Sequence, residues 1–263
     1  MREAELTRQL LAAGLGALVE ANHMDKGRFS QAFFDLSIGL ERLLKLIYLI
    51  DHALRSGGAF PSDGDLRKRF GHDLTALHAE ALAIRLRIED EGEQFVFAVP
   101  DPTLSARIVG VLAEFARATR YYNLDYLLGS KKPGRDPIVA WNDDVGQYLM
   151  SDYPARLRRK DEELAAEAEV LLADKVILRQ ETEGRDSLQS VTSSVLHGRR
   201  GEWIQRQATF HCAVLIRDLV EVLLALSDRT GPGKQPELPA LHEYFGFYYN
   251  DDRFLRRRRT FLD

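Results

Sequence analysis

Arg67, Lys68, Arg69, Phe70, Gly71 and His72 set a guanidinium and an imidazole on either side of a turn-forming glycine. Histidine exchanges a proton near neutral pH. Arginine offers a rigid fork of donors to anionic oxygens. A second cluster, Arg117, Arg120, Tyr121, Tyr122, Asn123 and Asp125, combines cations with rings. Such a set can hold a phosphate while a ring stacks on a base. It can equally satisfy a helix C-terminus and seal the edge of a core. The third cluster is the run Arg256, Arg257, Arg258 and Arg259, suited either to nucleic-acid phosphates or to a solvated tail. Further basic groups at Arg156, Arg158, Arg159 and Lys160 are followed by Asp161, Glu162 and Glu163, and read as a charged helix face.

Other chemistries lack their residues. The seven histidines form no metal pattern, and neither a His-Glu-x-x-His nor a paired-cysteine motif is present. The carboxylate pairs Asp143 with Asp144 and Asp251 with Asp252 suit capping better than magnesium binding. There is no glycine-rich phosphate loop and no nucleophile elbow. No metal and no cofactor is expected.

The elements that must position these groups are helical. Leu36, Leu40, Leu43, Leu44, Ile47, Ile50 and Leu54 recur at spacings of three and four, predicting one long helix over 29–55. Leu74, Leu77, Ala81, Ile84 and Ile88 predict another from Asp73. Phe95 to Val99 has no partner run and reads as an extended connector. Asp101, Pro102 and Thr103 predict a helix start, with the helix continuing to about Leu128 and stopping at Gly129. Lys131 to Pro137 reads as a linker, followed by a short helix over 138–150. Pro154 to Gln180 predicts a long amphipathic helix striped by Leu157, Leu164, Ala168, Leu171 and Val176 or Leu178. A last long helix is predicted over 202–228, buried along Ile204, Ala208, His211, Cys212, Leu215, Leu219, Val222, Leu223 and Leu226. The expectation is an all-α chain divided into 1–130 and 131–263, the second part packed on the first or separate from it.

The balance of 36 basic and 40 acidic side chains gives a formal charge of −4, so any polyanion must be met by a local patch. Cys212 is the only cysteine, which excludes an intramolecular disulfide and points to the cytoplasm. The apolar stretch from Leu10 to Val19 follows Glu3 and Glu5 and lacks a basic flank, so it reads as a buried helix rather than a signal peptide. No membrane partner is expected.

Two segments, Gly39-Leu40-Glu41-Arg42-Leu43-Leu44-Lys45 and Gly71-His72-Asp73-Leu74-Thr75-Ala76-Leu77, resemble those of HEPN domains. These are helical bundles with a similar glutamate and lysine in one helix and a Gly-His-Asp-Leu-like opening to another. The resemblance covers the first half of the chain and implies an HEPN-like bundle over 1–130, extended by additional long helices. Many HEPN proteins are ribonucleases with an arginine, four to six residues, then a histidine, the spacing of Arg67 and His72. The resemblance implies that His72 moves a proton at the ribose 2′-hydroxyl or the leaving oxygen and that Arg67 stabilises charge on the phosphate, without a metal. Lys68 departs from the polar residue that often follows the family's arginine, and the family's motif usually opens a later helix. The resemblance further implies RNA as the partner, a homodimer that assembles the site from two chains, and a defence or toxin-antitoxin setting. Arg117, Arg120, Tyr121, Asn123, Arg256 and Arg257 are the candidate nucleic-acid contacts. The competing expectation is a non-catalytic helical adaptor that binds a protein through an apolar face or through its aromatic tail. In that reading Gly71 turns the chain, Asp73 caps the helix and His72 bonds across the loop.

Overall fold

The computed structural model describes residues 2–129, 134–178, 180–182, 184, 186–231, 233–234, 238 and 240–261, and it is an all-α fold. The chain opens as a pair of helices, α1 (Arg2–Glu20) and α2 (Lys26–Arg55). The apolar run in α1 lies inside the protein, with Leu11, Leu15 and Leu18 fully buried. In α2 the expected stripe from Leu36 to Ile50 is buried, and Leu54 is partly so. Small residues let the two helices meet closely. A Cβ at Gly14 would lie 2.6 Å from Leu36 Cγ, and one at Gly39 would lie 2.9 Å from Leu11 Cδ2, closer than packed carbons approach.

After α2 the chain makes a short helix, α3 (Asp63–Arg69), capped by the Ser62 hydroxyl, which accepts from the Asp65 amide. α4 (Leu74–Asp90) is capped by Asp73, which accepts from the amides of Thr75 and Ala76. Leu74, Leu77, Ala81, Ile84 and Ile88 are buried as the spacing predicts, and α4 packs on α2. The stretch 93–99 is a connector without helix or strand, bent at Val96 and Phe97. Its Val96 and Phe97 amides donate to the Glu221 carboxylate at 2.6 and 3.3 Å, which replaces the missing strand partner.

α5 (Pro102–Glu114) begins at Asp101, whose side chain accepts from Thr103 and Leu104. The single helix expected as far as Leu128 is interrupted by a π-helical turn, Phe115–Thr119, after which α6 (Tyr122–Leu127) starts afresh. The wider turn keeps both Phe115 and Thr119 inside, with Phe115 edge-on to Phe33 at 5.6 Å. Beyond it the chain leaves the core, and α6 buries no residue.

The linker expected at Lys131 to Pro137 falls partly on 131–133, which lie outside the described residues. The short helix that follows is α7 (Pro137–Trp141), a second π-helical turn (Asn142–Gly146) and α8 (Gln147–Met150). Its Trp141 is fully buried against Phe33 and donates to Gln205 at 3.2 Å.

α9 (Ala155–Leu172) stops before the expected end. It buries Asp161 and Ala165 rather than the leucine stripe, and Leu164 and Leu171 are exposed. Polar bonds explain the rotation, because Asp161 accepts from Arg199 at 3.0 Å and from the Tyr153 hydroxyl. A two-residue antiparallel pair, β1 (Gln180–Glu181) and β2 (Ser187–Leu188), leads into α10 (Val191–Asp228). α10 starts earlier than its apolar stripe, at a capping box of Ser190 and Ser193.

From Cys212 to Leu224 every residue of α10 is buried, so it forms the axis around which α1, α2, α5 and α9 pack. α11 (His242–Phe245) and α12 (Asp252–Arg257) close one side, with Phe245, Tyr248 and Leu255 inside. Phe245 and Tyr248 of the aromatic tail thus pack within the chain. One hydrophobic core runs from Ala4 to Phe261 and is continuous across residue 130. No helix among the described residues is long and apolar enough to cross a membrane.

The axis helix also carries buried charge. Arg85 lies 2.9 Å from Asp218 and 3.9 Å from Glu221, and its guanidinium covers the Phe95 ring at 3.8 Å. Arg217 pairs with Asp252 at 2.8 Å and covers Phe97 at 4.2 Å. Connector, α4 and α10 are thereby clamped together. The Arg85 contact lacks hydrogen-bond alignment and leaves both Asp218 oxygens without a hydrogen bond. Burial therefore outweighs the nearby Arg85 cation and pushes the Asp218 carboxyl up to about 6.

Candidate nucleic-acid interface

His72 sits in the turn between α3 and α4, which Gly71 makes with a left-handed φ of 53°. The turn leaves the imidazole open, with 81% of the side chain exposed. Nδ1 lies 2.9 Å from Glu41 Oε1 on α2. The same oxygen accepts from Lys45 Nζ at 2.6 Å, one helical turn along. A carboxylate can only accept, so Nδ1 carries the hydrogen in this contact. In a neutral ring that leaves the lone pair on Nε2, as a proton acceptor. Glu41 is largely buried, its side chain 16% exposed, whereas the ring it holds faces solvent.

His72, Glu41 and Lys45 line a groove of about 450 Å³ together with Arg42, Glu3 and Arg120. That volume falls within the range of about 300–1,000 Å³ usual for ligand sites. Arg42 is paired with Glu3. Arg120 lies over the Phe34 ring at 5.1 Å and, among the described residues, has no carboxylate partner. Arg117, three residues earlier and inside the π-helical turn, is near enough to act on Asp73. Asp73 is held below the usual carboxylate range by the Thr75 hydroxyl, then by the Ala76 amide, with a smaller contribution from Arg117.

The remaining candidates lie elsewhere. Arg67 is on the outer face of α3, 78% exposed, with Nε 3.1 Å from Asp63; the groove wall is made by its neighbour Leu66 instead. Arg67 and His72 are therefore not brought into one cavity within this chain. Tyr121 is exposed. Asn123 lines a different cleft with Lys26, Ser30 and Asp136, because the helix break after Thr119 turns it away from Arg120. Arg256 and Arg257 line a third cavity, beside α10. His78, close in sequence to His72, is buried, and burial pushes its imidazole below the usual range. Among the described residues no group of three or more His, Cys, Asp or Glu side chains is placed to hold a metal ion.

Glu41, Lys45 and Arg42 were legible as motif residues but not as neighbours of His72. Only the placement of α3 and its turn against α2 shows that. The chain matches no protein-family model, no curated protein and no solved structure. The likeness to HEPN domains thus rests on the residues named above.

Proposed function

We propose that the chain is an HEPN-like RNA-binding protein of the metal-independent ribonuclease type, acting in a defence or toxin-antitoxin setting. The observation that carries this reading is the open imidazole of His72, oriented through Nδ1 by a largely buried carboxylate in a groove that also holds Lys45 and Arg120. Nε2 would take the proton of a ribose 2′-hydroxyl, with Arg120 and Lys45 beside the phosphate. Arg67 enters through a second copy: the HEPN resemblance implies a site built from two chains. Its exposed pair with Asp63 would resist such a move by no more than about 1 kcal/mol.

Metal-free RNA cleavage, assayed in chelator with Arg67→Ala and His72→Ala separately and mixed, tests this reading. Each variant alone is expected to be inactive, and the mixture to regain part of the activity. Activity in either variant equal to wild type would remove the enzyme from the proposal.

The second reading is a non-catalytic helical adaptor. It draws on the solvent-facing apolar residues of α6 and its end, Leu124, Leu127 and Leu128, of which Leu128 is 83% exposed. Salt separates the two readings. RNA held through phosphates is released as salt rises, whereas an apolar contact to a protein survives.

A further inference from the structure

The groove at His72 leaves the arginine run at the end of the chain unused. Arg256 and Arg257 at the end of α12, Arg258 and Arg259 beyond it, and Arg206 of α10 line a cavity of about 220 Å³. Among the described residues no aspartate or glutamate lines it. Arg206 is paired with Glu202 at 2.6 Å. The four consecutive arginines form no ion pair with any carboxylate of the described residues.

Two of these cations are held in place by neutral partners. Arg256 lies over the Phe210 ring at 3.6 Å and donates to the Gln207 amide oxygen at 3.2 Å. Arg258 covers Phe254 at 4.3 Å and Phe247 at 5.2 Å. Rings orient a guanidinium without neutralising it. Like charges assembled this closely repel one another, and nothing among the lining residues offsets that repulsion. A bound anion would.

We propose that this cavity is a binding site for a compact polyphosphate group, two or more adjacent phosphates such as those of a nucleoside triphosphate. Size and lining select that chemistry. The cavity is smaller than the roughly 300–1,000 Å³ of sites that enclose a whole organic ligand, so it takes the charged part of one. The Phe210 face that could stack on a base is already covered by Arg256. Several arginine forks around one small space match phosphates that are adjacent, whereas an RNA backbone spreads its charges along the strand.

Calorimetry with sodium tripolyphosphate and with ATP, on the full chain and on the Arg257→Gln/Arg259→Gln double variant, tests the proposal. Arg257 and Arg259 are chosen because neither covers a ring, so an unchanged melting temperature without ligand shows the variant folded. The wild-type chain is expected to bind both probes, the double variant about tenfold or more weakly, and adenosine not at all. Absence of tripolyphosphate binding by the wild-type chain, or undiminished binding by the folded variant, would overturn it. So would a variant that loses 5′-hydroxyl RNA while keeping tripolyphosphate, since the run would then track a backbone.

Discussion

At the scale of single residues, what sets His72 apart from a surface histidine is one oxygen of Glu41. Because Glu41 Oε1 meets both Nδ1 of His72 and Nζ of Lys45, it fixes the ring and is itself fixed. Glu41→Gln keeps the shape but places an amide where only an acceptor serves. Its NH2 end can turn toward Nδ1 and favour the opposite tautomer. Metal-free RNA cleavage is expected to fall by about 10²-fold or more, with little change in melting temperature. Equal cleavage by this variant and the wild type would separate the carboxylate from the chemistry. The sequence shows Glu41 and Lys45 one turn apart and His72 after a glycine, yet contact between them depends on how α3 folds back on α2. The HEPN resemblance likewise pairs Arg67 with His72, and exposure on the outer face of α3 separates them.

At the scale of elements, α1, α2, α4 and the core half of α10 follow directly from apolar spacing, since each buries a broad stripe. The closeness of α1 to α2 depends on glycine. Gly14→Val would drive a branched side chain into Leu36, whose backbone nitrogen lies 2.9 Å from the added Cβ. A loss of about 1–3 kcal/mol in urea denaturation is expected. At the start of α4, Asp73→Ala removes a cap that accepts from two amides and is expected to destabilise by about 1 kcal/mol in the same measurement. No change in the first case would mean that α1 can move off α2 without loss. The break between α5 and α6 was not legible, because leucines and tyrosines continue at helical spacing through residues that find nothing to pack against. The face of α9 was misread for a related reason: hydrogen bonds to Asp161, not its leucines, decide which side meets α10.

At the scale of the whole molecule, α10 ties the chain together, and its buried charges make stability depend on pH. Asp218 has a folded-state value of about 6 against an ordinary 3.8. Between these values the folded protein binds more protons than the unfolded chain, so this group makes stability fall as pH rises from about 4 to 6. Asp218→Asn is expected to flatten that part of the stability profile, measured by urea denaturation at several pH values. An unchanged slope would show that Arg85 already compensates the charge. The clamp was invisible in the sequence, since Arg85, Phe95 and Asp218 belong to three separate segments. The continuous core across residue 130 was equally hidden, because a linker-like composition says nothing of what packs on either side.

The groove beside His72 is the centre of the functional reading, and a salt titration of single-stranded RNA binding probes it most directly. Arg120 is the groove cation without a carboxylate partner among the described residues, so its charge is the one most available to a phosphate. Arg120→Ala is expected to lower affinity and to reduce the slope of log K against log salt by about 0.7, one phosphate contact on a single strand. An unchanged slope and affinity in a folded Arg120→Ala protein would contradict RNA binding at this groove.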